Sequence, residues 1–89
     1  MKAKPQLVWD TWNIEHIKKH KVTVGEVEQA YLNEIIRAPG KKGRILVIGS
    51  TKKDRLITIF ISYQKQPDPY VVSARDSSKR ERSIVYEKN

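Results

Sequence analysis

The residues best equipped for chemistry in this chain are arginines and histidines, and they are unevenly placed. Arg75 closes an otherwise apolar stretch, Tyr70 to Arg75, where a strand would hold its guanidinium on a rigid element at the sheet's edge. Arg55 opens the preceding apolar stretch and can reach the same side. A guanidinium bonds two phosphate oxygens through its planar fork and stays charged at any working pH. His20 is the acid–base candidate, because imidazole titrates near neutrality. His16 and His20 also have the i,i+4 spacing of metal ligands, but no carboxylate is placed to complete a site, so neither a metal nor another cofactor is expected. Two of these residues have a plainer alternative. Arg75 can pair with Glu81 and pin a final helix to the sheet, and His20 can be a hydrogen-bonded histidine at the edge of a buried face.

The charge around them has a direction. The chain of 89 residues carries a formal net charge of +8. Residues 37–55 hold Arg37, Lys41, Lys42, Arg44, Lys52, Lys53 and Arg55 against one acid, Asp54, whereas Leu56 to Ala74 is almost uncharged. RNA or DNA would bind such a distribution by releasing condensed counterions. A solvated basic surface, or one that meets an acidic protein, would leave the same pattern. The lysines at 41, 42, 52 and 53 would raise affinity without doing chemistry. Lys19 and Arg44 extend that basic surface, and Arg82 shares a helix face with Lys79 and Tyr86.

These residues need a scaffold, and the length allows one domain with one modest core. There is no cysteine, so neither a disulfide nor a thiolate metal site supports it. No apolar run approaches the roughly 20 residues that span a bilayer, and the basic start Met1 to Pro5 is not followed by the apolar core of a signal peptide. A soluble, cytoplasmic protein is the expectation.

Gln6 to Trp9 reads as a short first strand, and Asp10 can cap the helix that follows. On that helix Trp12, Ile14, His16, Ile17 and His20 form one sector, with Glu15, Lys18 and Lys19 outside it. Trp12 is therefore expected in the core, His16 in a structural role, and the helix end near Lys21. Both Trp9 and Trp12 are able to stack on bases, but filling the space between helix and sheet is the reading their pattern favours. Thr23 with Glu26 is a capping box for a second helix to about Asn33, with Val24, Val27, Ala30 and Tyr31 buried. Arg44 to Thr51 and Arg55 to Ser62 form a hairpin across Lys52-Lys53-Asp54, apolar enough to be central strands covered on both faces. Tyr70 to Arg75 is the next strand. Ser78 with Glu81 opens a helix to about Lys88, on which Glu81 faces inward between Ile84 and Val85. With one more strand after the second helix the order is β-α-α-β-β-β-β-α. That is an α+β domain, an antiparallel sheet with two N-terminal helices and one C-terminal helix packed on it.

Four stretches carry a resemblance that covers nearly the whole chain. They are Trp9-Asp10-Thr11-Trp12-Asn13-Ile14-Glu15-His16-Ile17-Lys18-Lys19-His20-Lys21-Val22; Gly43 to Thr51, with Arg44 four residues before Ile48-Gly49-Ser50-Thr51; Arg55-Leu56-Ile57; and Ser73-Ala74-Arg75 followed by Ser78-Lys79-Arg80-Glu81-Arg82. In order and spacing the set resembles the BrnT family of bacterial toxins. The resemblance implies a RelE-like fold over residues 1–89, metal-free cleavage of RNA, and neutralisation by a separately encoded DNA-binding antitoxin in a toxin–antitoxin hetero-oligomer. Metal-free cleavage needs a base for the 2′-OH, an acid for the leaving 5′-oxygen and cations for the phosphorane. By side-chain chemistry and position, Arg75 and Arg55 are the candidates for the cations and His20 for proton transfer. The alternative is a non-catalytic module on the same scaffold that binds nucleic acid or the antitoxin. The chain departs from the family pattern in having Gln64 and Tyr70 where many members have arginines, Val85 where the C-terminal tyrosine usually falls (with Tyr86 next), and Lys21 where glycine is common.

Overall fold

In the computed structural model, which describes residues 4–64 and 67–88, three helices and a four-stranded antiparallel sheet follow in the order α1 (Thr11–Lys18), α2 (Val24–Leu32), β1 (Glu34–Pro39), β2 (Ile45–Ser50), β3 (Leu56–Ser62), β4 (Tyr70–Asp76) and α3 (Lys79–Lys88). The strands lie side by side in chain order, so each pairs with its sequence neighbour. The α+β class read from the sequence is the one observed.

Helix starts follow local chemistry. Thr23 and Glu26 form the capping box expected for α2, each side chain bonding the other's backbone N–H. Ser78 Oγ accepts from the Glu81 N–H, while Glu81 Oε1 accepts from the Ser78 N–H at the start of α3. Asp10 caps α1 and is answered by Asn13 in the same reciprocal way. α1 gives out at Lys18, and Lys21 adopts φ of +59°, the left-handed conformation glycine enters without steric cost. Lys21 stands where the pattern this sequence resembles commonly has glycine.

The anticipated first strand is not formed. Between Gln6 and Trp9 one parallel bridge joins Val8 to Tyr70, with the Val8 N–H donating to Pro69 O. The Val8 carbonyl is taken by Asn13 Nδ2, which also donates to Val71 O on the edge strand β4. A fully buried side-chain amide thus does the work of a strand ladder.

α1 and α2 cover one face of the sheet. There Val47, Ile57, Ile59, Ile61, Val71 and Ala74 are buried with Ile17, Val22, Val27, Ala30 and Tyr31. The opposite face is covered unevenly. Ile48 and Thr58 are buried and α3 is tethered there, yet Leu46, Phe60 and Val72 are half-buried. The hairpin strands are therefore closed on one face and partly open on the other, because one ten-residue helix cannot cover four strands.

The core position expected for Trp12 is also corrected. α1 buries Asn13 and Ile17, while Trp12 is 57% exposed. The reason is Asn13: its three backbone bonds turn the neighbouring helix face inward. Trp9 is half-buried and packs against the core.

Candidate nucleic-acid interface

Antiparallel register decides which polar residues meet. Ile45 pairs with Ile61 and Ser62 with Tyr70, so Arg44, Ser62 and Tyr70 fall in one row across three neighbouring strands. Ile45, Ile61 and Val71 point into the core, and alternation turns this row to the other face. A bulge between Phe60 and Ile61 on the β3–β4 pairing adds Val72 beside it. The N-terminus of α1 supplies Asp10 and Trp12. Together with Gln64 these residues line a cleft of about 520 Å³.

The cleft has a fixed electrostatic arrangement. The Tyr70 hydroxyl donates to Asp10, 2.9 Å to Oδ2. Asp10 lies below the usual carboxylate range, held there by the Asn13 N–H and then by the Tyr70 hydroxyl. The Tyr70 phenol is pushed up by burial and by its bond to that carboxylate. Gln64 Nε2 donates to Lys42 O and braces the Lys41–Gly43 turn, whose two lysines are exposed. Among the described residues Arg44 has no ion-pair partner.

Along α1 the rings of three residues follow one another. Trp12 stacks on His16 with centroids 4.9 Å apart and planes 8° from parallel. His16 meets His20 edge-on at 5.7 Å. His16 is half-buried, and its contact is with the exposed Trp12 ring rather than a core position.

The residues singled out for catalysis are not brought together. Arg75 lies opposite Thr58, on the face that carries the cleft but roughly 13 Å further along the strands. Its guanidinium makes a two-pronged contact with Glu81, 2.7 and 2.9 Å, and sits 5.3 Å from the Phe60 ring centroid. The inward position expected of Glu81 is observed: its carboxylate also accepts from Thr58 and the Ser78 N–H. The Arg75 guanidinium, followed by the Ser78 and Thr58 bonds, draws the Glu81 pKa down to about 2.

Arg55 does not reach the same side as Arg75. It turns toward α2, bonding Glu26 at 2.7 Å, Asp76 at 2.6 Å and Lys21 O at 3.1 Å. Asp76 pairs with Ile57, whose side chain lies in the core, so this cluster belongs to the helix-covered side. His20 is exposed beyond the end of α1 and is the ring furthest from the cleft in the Trp12 row.

The basic segment 37–55 is also divided. β2 separates the Lys41, Lys42 and Arg44 group from Lys52, Lys53 and Arg55 by roughly 20 Å. Lys52 and Lys53 are exposed at the hairpin tip, Lys19 is exposed at the end of α1, and Arg82 donates to Ser77 O at the start of α3. Arg37 is paired with Glu34.

Sequence reading did not single out Asp10, Ser62, Gln64 and Tyr70 as one site. The available signal was the hairpin register, which puts Arg44 level with Ser62 once the Lys52-Lys53-Asp54 turn is fixed. Among the described residues no helix is long and apolar enough to cross a membrane. In comparisons with family models, curated proteins and solved structures, the chain finds no match.

Proposed function

We propose that this protein acts on RNA in the cytoplasm as an endoribonuclease toxin of the BrnT kind, restrained by a cognate DNA-binding antitoxin. The observation that carries the RNA part is Arg44, a cation with no ion-pair partner among the described residues, at a cleft that also presents Trp12 and Tyr70. The toxin assignment and the antitoxin come from the chain-long resemblance.

The chemistry is assigned to the cleft rather than to the paired arginines. Arg44 holds the scissile phosphate and stabilises the phosphorane. The 2′-oxygen attacks phosphorus while its proton passes to the ionised Asp10 carboxylate. The bond to the 5′-oxygen breaks, and that oxygen takes the Tyr70 proton. Transfer of the new Asp10 proton to the Tyr70 phenolate, along the bond that already joins them, restores both groups. The products are a 2′,3′-cyclic phosphate and a free 5′-hydroxyl. The depressed Asp10 pKa makes it a weak base, so slow turnover is expected.

Incubation of purified protein with RNA in chelator tests this reading, with Arg44→Ala, Tyr70→Phe, Arg75→Ala and His20→Ala alongside. Cleavage is expected to fall about 100-fold in the first two and to survive in His20→Ala and in folded Arg75→Ala. Loss in Arg75→Ala with activity intact in Arg44→Ala would sink the assignment to the cleft.

A non-catalytic RNA-binding module is the second reading, and two observations favour it. Arg55 and Arg75 are occupied by Glu26, Asp76 and Glu81. Gln64 and Tyr70, where the family pattern has arginines, both line the cleft, which keeps Arg44 as its cation. Salt-sensitive RNA binding with intact product would establish this second reading.

A further inference from the structure

The two tryptophans have opposite fates. Trp9 packs against the core and its Nε1 bonds Glu28. Trp12 is 57% exposed, is absent from the core, and borders the cleft. Its ring nonetheless has a neighbour: His16 lies against one face nearly parallel, and the helix that carries both is capped at its start by the Asp10–Asn13 box. An indole braced on one face and open to solvent is prepared to receive a flat partner on the other, because little conformational freedom is lost on stacking. Core packing does not account for a tryptophan here, since the buried positions of α1 are Asn13 and Ile17.

The rest of the cleft indicates which flat partner. Arg44 supplies a cation and Ser62 a hydroxyl in the same row, and about 520 Å³ lies within the range of sites that hold a small ligand or a nucleotide. Cation, hydroxyl and open aromatic face together match phosphate, sugar and base. A base can lie on an indole only when it has left its own stack, as in single strands, loops and ends.

We propose that Trp12 is the stacking platform for an unpaired base, and that the Trp12–Arg44 cleft therefore selects single-stranded over duplex RNA. This rests on the RNA reading above and adds the form of RNA recognised. Stacking is tolerant of base identity, so the platform gives preference for strand form rather than for sequence. His16 acts as a positioning residue that holds the indole.

The test uses an uncleavable probe, a 2′-O-methyl oligouridylate of about ten residues, alone or paired with its 2′-O-methyl oligoadenylate complement. Inorganic polyphosphate serves as the phosphate-only control. Fluorescence anisotropy should show the single strand bound at least about tenfold more tightly than the duplex. Trp12→Ala should weaken single-strand binding about five- to a hundredfold, Trp12→Phe should restore most of it, and polyphosphate affinity should not change in either. Arg44→Ala should weaken both ligands. In a Trp9→Phe background, bound oligouridylate should quench the remaining Trp12 emission. Equal binding of single strand and duplex, or wild-type affinity in Trp12→Ala, overturns the platform. If that happens while Arg44→Ala still weakens binding, the RNA cleft stands without it. If neither variant changes binding, or no RNA is bound, the RNA reading fails with the platform.

Discussion

Arg55 and Arg75 stand at the hairpin end of the sheet, and Arg44 stands at the other, with very different surroundings. Arg55 is shared between Glu26 and Asp76, and Arg75 is clasped by Glu81. Each of those pairs joins two elements: α2 to the strands in the first case, α3 to β4 in the second. To take a phosphate, either arginine would have to release a carboxylate that already satisfies it, and much of the gain would be cancelled. Among the described residues Arg44 has no such bond to give up. Sequence charge and available charge are thus different quantities, and the second decides where a polyanion settles. Lys52 and Lys53 at the hairpin tip still add to the field around the protein, but without the fork or the cleft that would fix a phosphate.

The largest perturbation should come from loosening the paired end through its backbone. α2 lies so close to β2 that a Cβ at Gly49 would fall on the Ala30 carbonyl oxygen and within 3.0 Å of Asn33 O. Helix and strand can accommodate it only by separating, which draws Glu26 away from Arg55. Gly49→Ala should cost about 3 kcal/mol or more, a large share of a small domain's stability. Urea denaturation gives the loss, and hydrogen exchange should show protection falling in α2 more than in β4. A loss under about 1 kcal/mol would mean the contact is easily relaxed and the paired end is not held by it.

Removing a charge at that end comes next. Arg75→Ala strands the Glu81 carboxylate beside Thr58 and loosens α3; because the Arg75 side chain is 34% exposed, the expected cost is about 2 kcal/mol, below that of a fully buried pair. The pH dependence identifies the cause. Glu81 has a folded pKa of about 2 against an ordinary 4.5, so its contribution is complete above about 4.5 and is lost as pH falls toward 2. Glu34 on β1 is also pulled to about 2, by Arg37 and Lys4, and it titrates equally in both proteins. The stability difference between wild type and Arg75→Ala should therefore shrink between pH 4.5 and 2, as followed by thermal unfolding. A difference that is constant with pH would assign the loss to the packing of Arg75 on Phe60 instead.

A smaller effect of opposite sign is expected where α1 ends. Lys21 holds a left-handed conformation while its carbonyl accepts from Arg55. Lys21→Gly keeps that carbonyl and removes the Cβ cost, offset partly by the greater freedom of glycine when unfolded. The net gain should be up to about 1 kcal/mol, or about 4–8 °C in Tm for a domain this size. A fall in Tm would show that the lysine side chain contributes more than its conformation costs.

Much of this architecture was legible because its determinants are local. The boxes Thr23/Glu26 and Ser78/Glu81 announce α2 and α3, and the Lys52-Lys53-Asp54 turn announces the hairpin. The helical wheel even placed Glu81 inward, from which the Arg75 pair follows. The cleft was less legible because its members are joined by register and by one amide. Apolar periodicity grouped Trp12 with Ile14 and Ile17, but it gives no weight to a buried asparagine. Asn13 bonds Val8 O, Val71 O and the Asp10 N–H, replaces the expected first strand, and thereby leaves Trp12 in solvent. Arg44 and Arg55 look like one basic segment in a linear chain, and only the intervening six residues of β2 part them.

The smallest stability effect and the sharpest functional one should coincide at Arg44. Arg44→Ala breaks no ion pair among the described residues, so its stability should stay within about 0.5 kcal/mol of wild type. If Arg44 neutralises one phosphate of a single strand, the slope of log affinity against log salt should become shallower by about 0.7. Arg55→Ala should do the reverse, destabilising the fold while leaving that slope unchanged, because a guanidinium held by two carboxylates releases no counterion from RNA. Titrations of oligouridylate at several salt concentrations, with unfolding measured on the same preparations, compare the two directly. An unchanged slope in Arg44→Ala beside a reduced slope in Arg55→Ala would reverse the roles of the two ends and move the RNA to the paired arginines.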